Sequence, residues 1–327
     1  MLSYREALRE ALAEEMRDDP TVIVFGEDIA LAGGIFKVTE GLRSEFGADR
    51  VRDSPISENA LVGAAVGAAA AGLKPVVEIM FADFLANAFD QLVNHAAKLR
   101  YMSGGQLQLS LVVRCAHGGG IGFAAQHSQA ATSWLLPFPG IKIVAPATPG
   151  DAKLLLKAAV RDPDPVLFLE HKALYGMRGP APDADEPVPM LGTPVVRRVG
   201  SDLTLVALAG TVGTALTAGE QLAVDGIECD VVDLRGLVPL DLHVVVDSLR
   251  RTGKLLVIEE EPAQGGWANL IVSRIAQQAW PALRSAPRVI SGSVSPIPYS
   301  PPLEQAYLPQ VQTIVSAGRE LAGAGAR

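Results

Sequence analysis

Short apolar segments alternate with helical patterns along the first half of this chain, and this alternation constrains its fold more than any other feature. Residues 22–25, 74–79 and 166–169 have the length and apolar composition of buried strands. Helical patterns separate them, and the first is opened by a capping box that runs from Ser3 to Glu6. Short apolar strands separated by helices are typical of a parallel sheet that is covered on both faces. The sequence therefore predicts an α/β fold with a doubly wound sheet.

Other segments of the first half complete this pattern. Further strands are predicted at residues 110–114 and 141–145. Helices are predicted at residues 58–72 and 149–160, and one long helix is predicted at residues 82–102.

Residues 176–194 interrupt the alternation. This stretch contains five prolines and three acidic residues, a composition typical of a linker. After it the alternation resumes, with strands predicted at 203–208, 228–233 and 254–258 and helices at 212–223, 242–251, 266–279 and 309–321. A chain of 327 residues also suits about two domains at ~150 residues each. We therefore predict two doubly wound domains, residues 1–185 and 186–327.

The composition excludes several classes of function. The formal net charge is −8, whereas a nucleic-acid-binding protein presents a basic surface. The two cysteines, Cys115 and Cys229, have no metal-ligand spacing and do not suggest a disulfide framework. The longest uncharged apolar run, residues 60–73, is shorter than the roughly 20 residues that a transmembrane helix needs. We expect a cytoplasmic protein that binds neither nucleic acid nor a membrane.

A glycine-rich loop at Gly118–Gly122 stands out among the loops of the first half. The chain has no G-x-G-x-x-G fingerprint after a strand, no Walker A lysine loop and no G-x-S-x-G elbow. The glycine-rich loop is therefore either a tight turn or a place where the backbone approaches a ligand closely.

Two side chains are candidates for chemistry, each with a structural alternative. Glu58 begins a predicted helix, so it is either a first-turn acid that favours the helix dipole or a carboxylate at the ligand-binding edge of the sheet. His127 follows the glycine-rich loop, so it is either a hydrogen-bonded structural residue or part of a site.

Several short segments then occur in an order that resembles a known family. They are Gly26-Glu-Asp28, Thr39-Glu-Gly-Leu42, Pro55-Ile-Ser-Glu58, Tyr101-Met-Ser-Gly-Gly105, Ala124-Ala-Gln-His-Ser-Gln129, Arg161-Asp-Pro-Asp-Pro-Val166, and Asp233-Leu-Arg235 through Pro239-Leu-Asp241. Together they resemble the beta subunit of the thiamine-diphosphate-dependent 2-oxoacid dehydrogenase, the decarboxylating first component of a multienzyme complex. The resemblance covers nearly the whole chain. It implies a pyrimidine-binding, transketolase-like domain followed by a transketolase C-terminal-like domain.

The resemblance also implies a cofactor and its contacts. In this family a carboxylate bonds the aminopyrimidine ring of thiamine diphosphate, and its position matches Glu58. The positions that line the pyrimidine pocket match Ile56, Met80 and Phe84, although ordinary core packing is the alternative for all three. His127 matches the family's active-site histidine, which positions intermediates and aids acyl transfer to a lipoyl arm.

Metal ions enter through the same resemblance. Beta chains of this family often hold a structural potassium ion (K⁺) through backbone oxygens, and the matching positions are Leu111, Ala159, Val160, Asp162 and Asp164. Relatives often carry asparagine where this chain has Asp164, and a simple capped helix terminus is the alternative. Thiamine enzymes hold the diphosphate through Mg²⁺ at a Gly-Asp-Gly segment, but this chain has Gly150-Asp-Ala152. The resemblance therefore implies that an alpha subunit holds Mg²⁺.

The resemblance favours one function and leaves others open. Segments 101–105 and 124–129 are more similar to pyruvate and acetoin enzymes than to branched-chain enzymes. We therefore expect a pyruvate-type beta subunit that acts on a small 2-oxo acid, assembles as two alpha and two beta chains, and serves a lipoyl acyltransferase core. An acetoin-cleaving dehydrogenase is the nearest alternative. A third alternative is the C-terminal half of a split transketolase, which would need basic groups to bind a sugar phosphate. A fourth is a non-catalytic assembly subunit, which would not need Glu58 and His127.

Overall fold

The first helix begins where the capping box predicts. In the computed structural model, which describes residues 1–183 and 185–323, the Ser3 hydroxyl accepts a hydrogen bond from the Glu6 amide, and the Glu6 carboxylate accepts one from the Ser3 amide. These bonds satisfy amides that the first turn leaves without partners. The helix α1 (Tyr4–Asp18) buries an apolar face that includes Leu8 and Leu12.

Residues 1–117 and 134–191 form one compact unit around a parallel sheet. Its strands are β1 (Val22–Gly26), β2 (Val51–Asp53), β3 (Lys74–Phe81), β4 (Val112–His117), β5 (Lys142–Val144) and β6 (Val166–His171). They lie in the order β5–β6–β4–β3–β1–β2, and each pair of neighbours is parallel. Because all six strands run the same way, their carboxyl ends lie along one edge of the sheet, where open α/β sheets bind ligands.

Helices cover this sheet and complete its core. After α1 they are α2 (Leu42–Phe46), α3 (Glu58–Ala70), α4 (Leu99–Met102) and α5 (Pro149–Arg161), with 3₁₀ segments at Ala82–Ala88 and Lys172–Leu174. A two-residue ladder joins Leu2–Ser3 to Arg178–Gly179. Apart from the helix predicted at residues 82–102, the predicted strands and helices of this half are confirmed, with ends that shift by a few residues.

The prediction of one long helix at residues 82–102 is wrong. The segment is helical, but it passes from the 3₁₀ segment Ala82–Ala88 through a π-helical turn, Gln91–Ala96, to the short α4. Between the last two, the Ala97 carbonyl lies against the backbone of Gly140, so close that a Cβ at Gly140 would fall 1.9 Å from its oxygen. The hydrogen-bonding pattern thus changes along this segment, and the period of apolar residues does not report such a change.

Residues 118–133 group with the chain from Gly192 onward in a second compact unit. Its strands are β7 (Val195–Arg198), β8 (Leu203–Ala207), β9 (Cys229–Asp233), β10 (Leu255–Pro262) and β11 (Arg288–Gly292), and a further short strand is Gly236–Val238. The order in the sheet is β11–β10–β8–β9–β7. Strand β7 pairs antiparallel with β9, and the other pairs are parallel.

The helices of the second unit follow the predicted alternation. They are α6 (Gly210–Val224), α7 (His243–Thr252), α8 (Ala268–Ala279), α9 (Pro301–Tyr307) and α10 (Val311–Gly323), with a 3₁₀ turn at Trp280–Ala282. The strands β7 and β11 and the helix α9 were not predicted. The doubly wound α/β class is confirmed in both units, whereas the domain boundary between residues 185 and 186 stays a prediction. No helix in the described parts of the chain is long and apolar enough to cross a bilayer.

Candidate active site

Glu58 lies where both readings of the sequence place it. It is the first residue of α3, which follows β2 at the carboxyl edge of the sheet. Its side chain is 7% exposed, and its Oε2 accepts a hydrogen bond from Asn87 Nδ2 at 3.2 Å. The amides of the first helical turn favour a negative charge at this point. Glu58 is therefore a buried carboxylate held in place by a neighbouring amide rather than a solvated surface acid.

A second carboxylate, Glu27, lies close to Glu58. It follows β1 directly, is 6% exposed, and its Oε1 has no hydrogen-bond partner among the described residues. Burial raises the pKa of Glu27, and the nearby charge of Glu58 raises it further, while a backbone hydrogen bond from Ser57 acts in the opposite direction. The environment of Glu27 therefore favours its protonated form. The sequence contained this residue only as part of a matching segment, and no pattern in it singled Glu27 out.

The three apolar residues matched to the pyrimidine pocket lie in the same unit as Glu58. Met80 is half-buried near the end of β3, and Phe84 is half-buried in the 3₁₀ segment after it. The Phe84 ring packs edge-to-face against Phe81, with ring centres 5.9 Å apart. Ile56 is 80% exposed, so ordinary core packing does not account for it. Apolar side chains and a buried carboxylate at one sheet edge are chemically suited to an aminopyrimidine ring.

His127 belongs to the second unit, on a loop that is closed at its base. The Gly118 amide donates a hydrogen bond to the Gln129 carbonyl at 3.0 Å, and the His127 amide donates to the Ala124 carbonyl at 3.4 Å. The His127 side chain is half-buried. The imidazole is therefore carried on a turn-rich loop with its own internal hydrogen bonds.

The glycine-rich part of that loop meets carboxylates of the same chain. The Gly119 amide donates to Glu260 Oε1 at 2.5 Å. The amides of Gly120 and Gly122 donate to the two carboxylate oxygens of Glu304, both at 2.9 Å. The backbone of the loop therefore closely approaches side chains of this protein, whereas a close approach to a ligand stays a prediction.

The acidic run at the end of β10 contributes to this arrangement. Glu261 accepts hydrogen bonds from the amide and the hydroxyl of Thr132, and burial raises the pKa of Glu261 to about 8. Burial also raises the pKa of Tyr307 to about 12, with help from the charges of Glu260 and Glu261. Glu259 faces other partners, the Ala268 amide and the Ser291 hydroxyl, both at 2.7 Å. The sequence reading missed these acids, although three consecutive glutamates ending a strand were a visible signal.

Four of the residues matched to a potassium site lie near the end of α5, and Leu111 lies directly before β4. The Leu111 carbonyl accepts the Val166 amide at 2.8 Å, and the Ala159 carbonyl accepts the Asp162 amide at 3.3 Å. A carbonyl oxygen has two lone pairs, so each can accept a further ligand. Val160 is the next-to-last residue of α5.

Two cationic side chains already lie at the carboxylates of this cluster. Lys142 Nζ contacts both oxygens of Asp162, at 2.7 and 2.6 Å, and Arg100 pairs with Asp164. The charges of Asp162 and Asp164 are therefore compensated by side chains of this protein.

The segment compared with the Mg²⁺ motif has a different role. Asp151 is buried in the first turn of α5, where Thr148 Oγ1 donates to its carboxylate at 2.9 Å and accepts the Asp151 amide at 3.2 Å. The carboxylate is thus part of a helix cap. Within residues 1–183 and 185–323 no cluster of three or more His, Cys, Asp or Glu side chains could hold a metal ion.

Comparison with known proteins agrees with both units. Residues 1–178 match the transketolase pyrimidine-binding domain, and residues 192–314 match the transketolase C-terminal domain. A solved structure described as a split-gene transketolase, an inactive beta4 tetramer, superposes with a TM-score of 0.81 over 99% of this chain and 100% of its own, at 23% identity. That likeness shows the fold, which is transketolase-like with two doubly wound domains.

Curated relatives identify the family more closely. The beta subunit of an acetoin:2,6-dichlorophenolindophenol oxidoreductase from Cupriavidus necator is 43% identical over 98% of this chain and 97% of its own length. The beta subunit of the pyruvate dehydrogenase E1 component from Rhizobium meliloti is 44% identical over 97% of this chain and 69% of its own. The beta subunit of 2-oxoisovalerate dehydrogenase from Bacillus subtilis is 41% identical over 98% and 99%. The chain belongs to the family of E1 beta subunits of thiamine-diphosphate-dependent 2-oxoacid dehydrogenases.

Proposed function

We propose that this chain is the beta subunit of a pyruvate dehydrogenase E1 component, which decarboxylates a small 2-oxo acid oxidatively and passes the acyl group to a lipoyl group. The observation that carries this proposal is the buried Glu58, held by Asn87 at the start of α3 beside the protonatable Glu27. A non-catalytic assembly subunit would have no need of two buried acids at this edge of the sheet.

Each proposed site residue has a distinct task. Thiamine diphosphate, when bound, supplies a carbon nucleophile and a sink for the electrons left by decarboxylation. Glu58 would hold a proton between its carboxylate and the pyrimidine ring nitrogen, and Ile56, Met80 and Phe84 would contact the rings and exclude water. His127 would give or take a proton during acyl transfer, since an imidazole nitrogen can act as either proton donor or proton acceptor.

The chain supplies only part of the cofactor site. Asp151 belongs to the segment that is compared with the Gly-Asp-Gly motif for Mg²⁺. Together with Thr148 it forms the N-terminal cap of α5. We therefore propose that Mg²⁺ and the diphosphate are held by an alpha subunit in an assembly of two alpha and two beta chains. A lipoyl acyltransferase core would receive the acyl group. The buried free thiols of Cys115 and Cys229 are compatible with a reducing cytoplasm.

Potassium is part of the same proposal. The carbonyl oxygens of Leu111, Ala159 and Val160, with those of Asp162 and Asp164, would bind the ion at the end of α5. Lys142 and Arg100 would then neutralise the two carboxylates, so the ion would be held by dipoles rather than by net charge.

Acetoin is the second candidate substrate, because the acetoin relative is 43% identical and the pyruvate relative 44%. The test is turnover by this chain assembled with its alpha subunit, using an artificial electron acceptor and pyruvate, acetoin or 2-oxoisovalerate. The proposal expects the highest kcat/KM with pyruvate, and no turnover by this chain alone. A preference for acetoin would establish the alternative. Turnover by this chain alone would contradict the shared site, and activity on sugar phosphates would favour a split transketolase.

A further inference from the structure

The loop that carries His127 is fixed to its own unit by carboxylates. Its glycine amides point at Glu260 and Glu304, and Thr132, beyond the end of the loop, is bonded to Glu261. All of these residues belong to the second unit. These contacts join the loop to β10 and α9, so they restrict it more than hydrogen bonds within the loop alone would.

Glu304 makes the most specific of these contacts. It lies in α9, is 3% exposed, and uses one oxygen for the Gly120 amide and the other for the Gly122 amide. Two amides in one short stretch therefore share one buried carboxylate. Each oxygen of Glu304 takes one of the two amides, so a single side chain satisfies both donors.

The glycines of the loop are explained by this arrangement. Gly118, Gly120 and Gly122 have φ values of +83°, +93° and +76°. In that region a side chain is strained, and alternation of such residues with ordinary ones turns successive amides toward one side. The glycine-rich run is thus what lets the backbone present its amides to Glu304 and Glu260.

We propose that Glu304 is a positioning residue for His127. Its carboxylate accepts hydrogen bonds from the amides of Gly120 and Gly122, a pair of contacts that we call the clasp, and so fixes the loop that carries the imidazole. Glu260 adds a second attachment at Gly119. This inference rests on the proposed role of His127 in acyl transfer, but the clasp itself is a property of the second unit. Glu304 would act through the loop, without touching substrate or cofactor.

The test compares two isosteric substitutions in the chain assembled with its alpha subunit. In Glu304→Gln the new side chain keeps one acceptor oxygen and presents an NH₂ group to the other amide, so one hydrogen bond is lost. The matched control is Glu259→Gln, because Glu259 is also buried but bonds Ala268 and Ser291. Hydrogen–deuterium exchange of the peptide covering residues 118–129 reports the loop directly.

The expected exchange result is local. Glu304→Gln should speed exchange in residues 118–129 by about tenfold, as the loss of one hydrogen bond implies, and leave the parallel strands β8 and β9 unchanged. Glu259→Gln should leave residues 118–129 unchanged. Equal exchange of residues 118–129 in wild type and Glu304→Gln would overturn the proposal. If Glu304→Gln does not fold, Glu304→Asp serves in its place, since its shorter side chain cannot reach both amides.

The activity readout separates positioning from general stability. Glu304→Gln should lower acyl transfer to a lipoyl acceptor more than it lowers acceptor-linked decarboxylation, and adding it to His127→Ala should cause no further loss, as coupled residues are non-additive. An equal fall in both reactions would show a merely structural role and would overturn the proposal. If His127→Ala harms neither reaction while Glu304→Gln still loosens the loop, the proposed function of His127 fails and the clasp remains.

Discussion

Buried carboxylates occur in both units of this protein, and their surroundings differ. In the first unit Glu58 accepts one hydrogen bond, from Asn87, and an oxygen of Glu27 has no partner among the described residues. In the second unit Glu304 accepts two backbone amides, and Glu261 accepts an amide and a hydroxyl. A buried acid whose oxygens can accept further hydrogen bonds is suited to proton transfer. A buried acid whose oxygens already accept hydrogen bonds from backbone amides is suited to fixing the backbone in place. The contrast distinguishes Glu58, for which we propose a role in proton transfer, from Glu304, which holds the glycine-rich loop of the second unit.

The largest effect is expected in the first unit. Glu58→Gln keeps the shape of the side chain but cannot share a proton with a ring nitrogen, so activity with the alpha subunit should fall by ~10²–10⁴-fold. Acceptor-linked decarboxylation measures this loss, and far-UV circular dichroism checks the fold. Retention of more than about a tenth of wild-type activity, far less than such a loss, would mean that Glu58 only favours the helix dipole.

A smaller and more selective effect is expected at His127. His127→Ala should reduce acyl transfer by ~10²-fold, the lower end for acid–base groups, and reduce acceptor-linked decarboxylation less. The two rates measured on one preparation give the ratio. Equal losses would instead place the imidazole in substrate binding or in the first chemical step.

The buried carboxylate of Glu261 predicts a free energy of unfolding that depends on pH. Burial raises the pKa of Glu261 from 4.5 to about 8, so between those values the unfolded chain has released a proton that the folded chain retains. Stability from this group is therefore lost as the pH rises, at up to about 1.4 kcal/mol per pH unit. Glu261→Gln should melt with a flatter profile between pH 5 and 8 than wild type.

The control for this melting experiment is Glu220→Gln, because Glu220 is exposed on α6. Its profile should follow that of wild type. A Glu261→Gln profile as steep as wild type would show that Glu261 does not titrate in this range.

The smallest effect concerns potassium. If the oxygens at the end of α5 bind K⁺ with a Kd of about 20 mM, 100 mM KCl should stabilise the chain by ~1 kcal/mol relative to NaCl of equal strength. Thermal melting in the two salts measures the difference. Identical melting points in the two salts would contradict potassium binding. Lys142 and Arg100 would then remain the cations that neutralise Asp162 and Asp164.

The sequence predicted the fold better than it predicted the contacts that hold the glycine-rich loop. Period and composition located most of the strands and helices, because each reflects local burial. They failed at residues 82–102, where 3₁₀, π and α segments follow one another, and at β7, whose four residues are all half-buried. The bonds from Glu304 to the glycine-rich loop join residues more than 180 positions apart, and no local pattern encodes such a pair.

The central claim is that Glu58, and not the carboxylates of the second unit, controls the proton chemistry of the cofactor. The most direct measurement is the rate of hydrogen–deuterium exchange at the thiazolium C2 of thiamine diphosphate bound to the assembled enzyme, followed by quenching and NMR. We predict that Glu58→Gln slows this exchange by ~10²-fold or more, while Glu304→Gln leaves it at the wild-type rate. Wild-type exchange in Glu58→Gln, or an equal slowing in both variants, would contradict the account.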